Sequence, residues 1–250
     1  MDALLQVEGL AKKFGGLDAV FDLDFTVEAG EIMGMIGPNG AGKTTVFNLL
    51  TGFLEPTKGD ITFKGENIVN RKPNQIVDRG ISRTFQIVRP FLNMTVLENV
   101  LVPLQAPKNR KVNKGRMENQ RRAAGLLEQV ELADKMLLLA ADLSHGDLKR
   151  LEVARSLAAK PDLLLLDEPF SGLATKEISA LSDLIKNLND DGLTIILIEH
   201  KLRELMKLVK RVITLNFGVK IADGTPEEIA KNEAVIEAYL GKGGERFVTS

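Results

Sequence analysis

One stretch constrains this chain more than any other: GPNGAGKTT at residues 37–45. EIMGMI precedes it as a short apolar strand, and VFNLLTGFL follows with apolar residues at helical spacing. Gly37, Gly42, Lys43 and Thr44 fill the fixed positions of G-x-x-x-x-G-K-[ST], in the strand–loop–helix setting that the pattern requires. Pro38, Asn39, Gly40, Ala41 and Thr45 complete a loop whose backbone N–H groups are expected to converge on phosphate oxygens. A helix opening near Lys43 directs the positive end of its dipole at the same point. Lys43 supplies a mobile charge for β- and γ-phosphates, and the Thr44 hydroxyl suits Mg²⁺. The implied ligand is a nucleoside triphosphate. A glycine-rich turn that happens to end in Lys-Thr is the plainer alternative, and it fits less well because both flanks also agree.

Composition narrows the class. The 250 residues suffice for one large domain or a domain plus a subdomain, and 44% apolar with 27% charged residues is the balance of a soluble globular chain. A net charge of −1 argues against a general polyanion binder, and hence against nucleic acid. No apolar segment approaches the roughly 20 residues needed to cross a bilayer, and MDALLQVEGL has no basic leader, so the cytoplasm is the expected compartment. Without cysteine there is no disulfide framework, and the only histidines, His145 and His200, exclude a multi-histidine metal site.

Residues 3–9 and 19–27 alternate apolar and polar as half-buried strands do, with KKFGGLD between them as a turn that carries Phe14. Residues 55–60 read as a turn, 60–68 as a strand with a second turn, 73–79 as a short helix and 81–85 as a strand ending at Gln86. From about 87 to 159 the pattern is mostly helical. Thr95 and Glu98 form a capping-box pair, the basic stretch 106–122 reads as a solvated connection, and a helix follows Ser144. LLLLD at 163–167 and TIILIE at 194–199 read as buried parallel strands, with an amphipathic helix between them. A hairpin covers 211–224, and Pro226 opens one last helix.

Two further stretches carry chemistry. In LLLLDEP, Asp167 sits at the carboxyl end of a central strand, the edge where open α/β sheets bind ligands. Asp167 is expected to hold Mg²⁺ through water, and Glu168 to act as general base for an attacking water. In LSHGD, Ser144 caps a helix while its hydroxyl and the Gly146 N–H face an anion. On the residues alone, Phe14 fits a core aromatic as well as a stacking ring, Gln86 a surface polar group, and His200 a helix-start histidine.

The order GPNGAGKTT, TFQ, LSHGD, LLLLDEP, SGL and a histidine after the next strand resembles the ATP-binding cassette (ABC) transporter ATPases over nearly the whole chain. The resemblance implies an α/β fold: a P-loop NTPase (RecA-like) core of ABC type with an antiparallel β subdomain and a helical subdomain. It implies one domain over 1–250, with core and β subdomain at 1–86 and 161–225, helical subdomain at 87–160, and a C-terminal helix and tail at 226–250. Phe14 would stack on the adenine of ATP, and Gln86 would touch Mg²⁺ or water and sense the membrane partner. Ser144 and Gly146 would contact the γ-phosphate bound by the opposite subunit, so that two molecules sandwich two ATPs. His200 would contact the γ-phosphate and hold Glu168. The implied partners are a second ABC ATPase subunit, identical or not, two transmembrane permease subunits and, indirectly, a periplasmic or extracellular substrate-binding protein. The implied place is the cytoplasmic face of the inner membrane, as a peripheral subunit.

Departures accompany the resemblance. His145 stands where the signature usually has glycine, and Asp147 where it usually has glutamine. Asp147 is expected to find a lysine partner such as Lys149 or Lys201, or to weaken cross-subunit ATP binding. Ala174 stands where many relatives carry Asp or Asn. KKFGGLDAV, SRTFQIVRPFLNMTVLENVLVP and VIEAYLGKG look most like ATPase subunits of branched-chain (hydrophobic) amino-acid importers. Urea and amide importers and the lipopolysaccharide-export ATPase have similar sequences. Non-transport ABC ATPases are a further alternative, although the long coiled-coil insertion or tandem cassette typical of them is missing.

Overall fold

The computed structural model describes residues 3–85, 90–105 and 115–240. The chain divides into two compact units, residues 1–76 with 194–250, and residues 77–193.

The first unit holds a four-stranded antiparallel sheet. Strand β1 (Leu5–Phe14) pairs with β2 (Leu17–Val27), Leu5 opposite Val27 and Phe14 opposite Leu17. Leu5 and Val7 are buried and Gln6 and Glu8 exposed, as the period of two demands, and Leu10 is buried again one residue out of phase. β1 runs past the expected end at residue 9 because the ladder slips at Gly9 (φ 55°) and then continues, so Phe14 is the last residue of a strand and the turn is confined to Gly15 and Gly16.

The same unit contains a parallel core. Strand β3 (Ile32–Ile36) is buried along its whole length between β8 (Thr194–Ile198) and β9 (Arg211–Asn216), both parallel to it. Burial on both faces is why β3 and β8 read as apolar runs rather than alternating ones. After β3 comes helix α1 (Lys43–Leu50), then β4 (Lys58–Phe63), antiparallel to β1, and the two-residue β5 (Glu66–Asn67). Helix α2 (Pro73–Arg79) begins at the expected proline. Helix α7 (Leu202–Leu208) packs on β3 at Gly34, where a Cβ would lie 3.0 Å from a Leu205 methyl. β9 turns into β10 (Val219–Gly224) as an antiparallel hairpin.

The C-terminal helix is two helices, not one. Helix α8 (Pro226–Lys231) stops at Asn232, which is extended (ψ 117°), and α9 (Glu233–Leu240) starts afresh. The Asn232 side chain accepts a hydrogen bond from Val235 N–H at 3.2 Å, satisfying an amide of the new first turn. Asparagine competes in this way wherever a helix passes through it, and here the cap wins over continuation.

The second unit pairs β6 (Ile81–Arg83) parallel with β7 (Leu163–Asp167), Ile81 opposite Leu163. β6 is shorter than the expected 81–85. Its helices are α3 (Val96–Leu104), α4 (Arg116–Gln129), α5 (His145–Leu157) and α6 (Thr175–Asp190). α3 packs on α4 and α5, and Val96, Val100, Leu104, Ala123, Leu127 and Leu151 on these helices are fully buried. Thr95 and Glu98 form the expected capping box. Asn99, also fully buried, accepts from Phe91 N–H and donates to the Phe91 and Thr95 carbonyls, so residues 91–95 are pinned to α3. Of the basic stretch, residues 116–122 belong to α4 and 106–114 lie outside the described residues.

Candidate functional site

In the first unit the loop between β3 and α1 is shaped by glycines. Gly37 (φ 151°) and Gly42 (φ 102°) lie so close to the Leu215 and Ala19 carbonyls that neither position has room for a Cβ. Gly40 (φ 80°) turns the exposed tip beside exposed Asn39, and Ala41 is buried. Gly42 caps α1 without a side-chain bond, so the first amides of that helix, from Lys43 through Thr45, keep no capping oxygen from it. Lys43 is 6% exposed, and its ammonium donates to the Gly37 carbonyl at 2.6 Å and the Pro38 carbonyl at 3.0 Å. Lysine charge and helix N-terminus thus meet at one loop, the arrangement that receives phosphate. Thr44 is exposed and Thr45 half-buried.

The loop is fastened on two sides. Gly218 N–H, in the β9–β10 turn, donates to the Ala41 carbonyl at 3.0 Å, and Gly37 N–H donates to the Tyr239 hydroxyl of α9 at 2.6 Å. Burial pushes the Tyr239 phenol up to about 12, against a smaller downward pull from the Gly37 amide. Phe14 is about half exposed at the end of β1, with the Lys12 ammonium 5.2 Å from its ring centre. His200 is exposed just past β8, where Glu199 Oε2 accepts from the backbone N–H groups of His200 at 3.0 Å and Lys201 at 3.4 Å. Glu199, 2% exposed, therefore shapes the turn that presents His200. Sequence reasoning read it only as a strand end. An acid closing a wholly apolar strand is the signal that marks it.

In the second unit, Asp167 is buried at the end of β7. Its Oδ2 accepts from Arg83 Nη2 at 2.6 Å, and its N–H donates to Thr84 Oγ1 at 3.3 Å. Arg83, from the neighbouring strand, is a site residue the sequence did not announce. The Glu152 carboxylate accepts from Phe85 N–H at 2.7 Å, and burial, outweighing that bond and nearby cations, raises its pKa. Glu168, the next residue after Asp167, has φ 49°, a left-handed conformation costing about 1–2 kcal/mol for a residue with a side chain. Such outliers gather where a side chain must be aimed. Gln86 lies outside the described residues. Each unit offers one hard oxygen donor of the kind Mg²⁺ takes: the Thr44 hydroxyl, exposed in the first, and the Asp167 carboxylate, buried in the second.

The same unit carries the altered signature. Ser144 caps α5, accepting from Asp147 N–H at 3.2 Å, while its hydroxyl donates to Asp147 Oδ2 at 2.8 Å. The lysine facing Asp147 is Lys135, at 2.7 Å, rather than Lys149 or Lys201. Lys135 lies on a short 3₁₀ turn, and chain proximity gives no hint of it. Burial raises the Asp147 pKa, but the bonds from Lys135 and Ser144 outweigh it, and the carboxyl lies below its usual range. His145 Nε2 lies 3.2 Å from the Ser171 carbonyl and against the Gly172 backbone. Gly146 is buried, and a Cβ there would lie 2.5 Å from Glu177 Oε1. Ala174 N–H donates to Glu177 Oε2 at 2.9 Å, half of a capping pair whose other half the alanine lacks.

A family model for ABC transporters matches residues 20–171, more than half of the chain. The chain belongs to the ABC transporter family. A second model, for branched-chain amino acid ATP-binding cassette transporters, matches residues 219–245 of this cassette. The cassette is 43% identical over 253 residues to the high-affinity branched-chain amino acid transport ATP-binding protein LivG of Salmonella typhimurium, covering 96% of this chain and 98% of LivG. It is 42% identical, with the same coverage, to the corresponding protein BraF of Pseudomonas aeruginosa. Among solved structures, the ADP conformation of MJ1267, an ATP-binding cassette of an ABC transporter, matches with a TM-score of 0.88 at 30% identity, covering 96% of this chain and all of the other. The fold is accordingly that of the ABC nucleotide-binding proteins, and among the described residues no helix is long and apolar enough to cross a membrane.

Proposed function

We propose that the cassette is the ATP-binding, ATP-hydrolysing subunit of an importer for branched-chain or other hydrophobic amino acids, working as one ATP-binding domain at the cytoplasmic face of the inner membrane. The observation that carries the nucleotide reading is the loop after β3, where the Lys43 ammonium lies against the Gly37 and Pro38 carbonyls beneath a helix start without a side-chain cap. The match of residues 219–245 to the branched-chain model supports the amino-acid reading.

The residue roles follow from chemistry. Phe14 stacks on adenine, residues 37–45 wrap the phosphates, and Lys43 balances their charge. Thr44, Asp167 and Gln86 would hold Mg²⁺, which would supply charge neutralisation on the phosphate oxygens. Glu168 takes the proton of a water that attacks the γ-phosphorus as the β–γ bond breaks, giving ADP and phosphate. His200 contacts the γ-phosphate. Ser144 and Gly146 of one subunit close on ATP held by a second cassette, identical or related. ATP then joins two cassettes, hydrolysis parts them, and the region 87–160 passes that motion to two permease subunits. A substrate-binding protein delivers the amino acid to the permeases.

Glu168→Gln tests the core of the scheme. It should abolish turnover and accumulate an ATP-bound dimer in size-exclusion chromatography, and normal turnover would remove Glu168 from the base role. Uptake of labelled leucine by cells with and without the chain tests the substrate class, and equal uptake would overturn it.

A further inference from the structure

Helix α9 reaches the phosphate loop through Tyr239. Its Tyr239 hydroxyl accepts a hydrogen bond from Gly37 N–H, and the carbonyl of that same Gly37 accepts from Lys43 Nζ. Gly37 is the first fixed residue of the loop, beyond the last β3–β9 ladder pair, Ile36 with Thr214. Its amide therefore lies past the sheet's own pairing and relies on Tyr239 for a partner. Gly37 is also pressed against the Leu215 carbonyl, so its peptide has little freedom to seek another acceptor. Tyr239 is largely buried, and α9 is held in place by fully buried Val235 and the Asn232 cap. The chain breaks at Asn232 and starts α9 afresh, and Tyr239 lies on this separate helix.

We propose that Tyr239 is a positioning residue of the nucleotide site: its hydroxyl holds the Gly37 peptide in the orientation that sets Lys43 for phosphate, and nucleotide binding is felt in return by helix α9. The proposal rests on the reading of residues 37–45 as a nucleotide site. Linkage makes the effect reciprocal, because whatever steadies the loop for phosphate is itself steadied by phosphate. Removing the hydroxyl leaves a buried amide without its acceptor, a loss borne by binding rather than by bond cleavage.

The protein contains one tyrosine and no tryptophan, so a single 3-fluorotyrosine label reports on this position alone. In the full chain, Tyr239→Phe should raise KM for ATP about fivefold to tenfold with kcat within about twofold. Tyr239→Leu, which also empties the ring's space, should cost more. A Phe variant with normal KM beside an impaired Leu variant would assign Tyr239 to packing alone and overturn the proposal. In the fluorotyrosine-labelled protein the single ¹⁹F resonance should shift on saturation with ADP, and an unmoved resonance at proven saturation would equally overturn it. Failure of the unsubstituted protein to bind ATP or ADP at all would instead refute the nucleotide reading, which keeps the two failures apart.

Discussion

Two helix N-termini in this molecule are read as phosphate-facing, and they are built in opposite ways. At α1 the cap is Gly42, which offers no side-chain oxygen, and the first residue is a lysine. At α5 the cap is Ser144, whose hydroxyl is bonded to Asp147, a carboxylate in the first turn. The first terminus keeps its partial positive charge and adds a full one. The second has an acid that complements the dipole internally, and Lys135 returns the missing charge from outside the helix. A polyanion should therefore bind strongly at α1 by itself, whereas at α5 its attraction depends on an ion pair that can be broken.

The largest expected effect lies at the first terminus. Lys43→Ala should weaken ATP binding by about a hundredfold or more in equilibrium titration, since a charge-assisted contact to phosphate is lost. Undiminished binding would contradict the phosphate-loop assignment. Next comes the buried pair at the end of β7. Arg83→Met leaves the Asp167 carboxylate buried without its cation and should cost about 3–5 kcal/mol in denaturant unfolding. A loss well below about 1 kcal/mol would mean that water or another group replaces the arginine.

The second terminus is then probed by charge alone. In a Glu168→Gln background, Lys135→Met should weaken ATP-driven dimerisation by about tenfold, and Asp147→Gln should strengthen it a few-fold. Equal dimerisation in all three would erase the contrast between the two helix starts. The same pair predicts a pH effect. The folded pKa of Asp147 is depressed, so its stabilisation is present above the unfolded carboxyl value and is lost as pH falls through the folded one. Asp147→Asn should therefore flatten the acid limb of the stability–pH curve, and an unchanged limb would count against the pairing.

The smallest effect is expected at Glu152. Burial raises its folded pKa, so the stability tied to its protonated form is present below the unfolded carboxyl value and fades as pH rises through the raised one. Glu152→Gln keeps an acceptor for Phe85 N–H and should gain slightly over the parent in urea unfolding at pH 7.5, with less gain at pH 5. A loss at both values would show that its attraction to Lys149 and Arg155 outweighs its burial.

Legibility differed along the same division. The phosphate loop, the strands around it and the acid at Asp167 are local events: glycine backbone freedom, a strand period, a helix start. A few adjacent residues specify each of them, and each lies where the sequence pattern places it. The partners of those residues are not local. Arg83 meets Asp167 because two parallel strands lie side by side, and Lys135 meets Asp147 because a 3₁₀ turn returns to the α5 start. Tyr239 meets Gly37 across most of the chain, from a helix that starts afresh after Asn232.

By itself, then, the sequence determined the kind of ligand loop this protein has, the order of its strands and helices up to the last helix, and the family it resembles, since these depend on short-range backbone sterics and side-chain period. Only the tertiary structure decided which charges neutralise the altered signature, what braces Asp167 and what holds the first glycine of the loop. Those choices depend on groups far apart in the chain, brought together by burial of apolar surface that has no direction of its own until the elements pack.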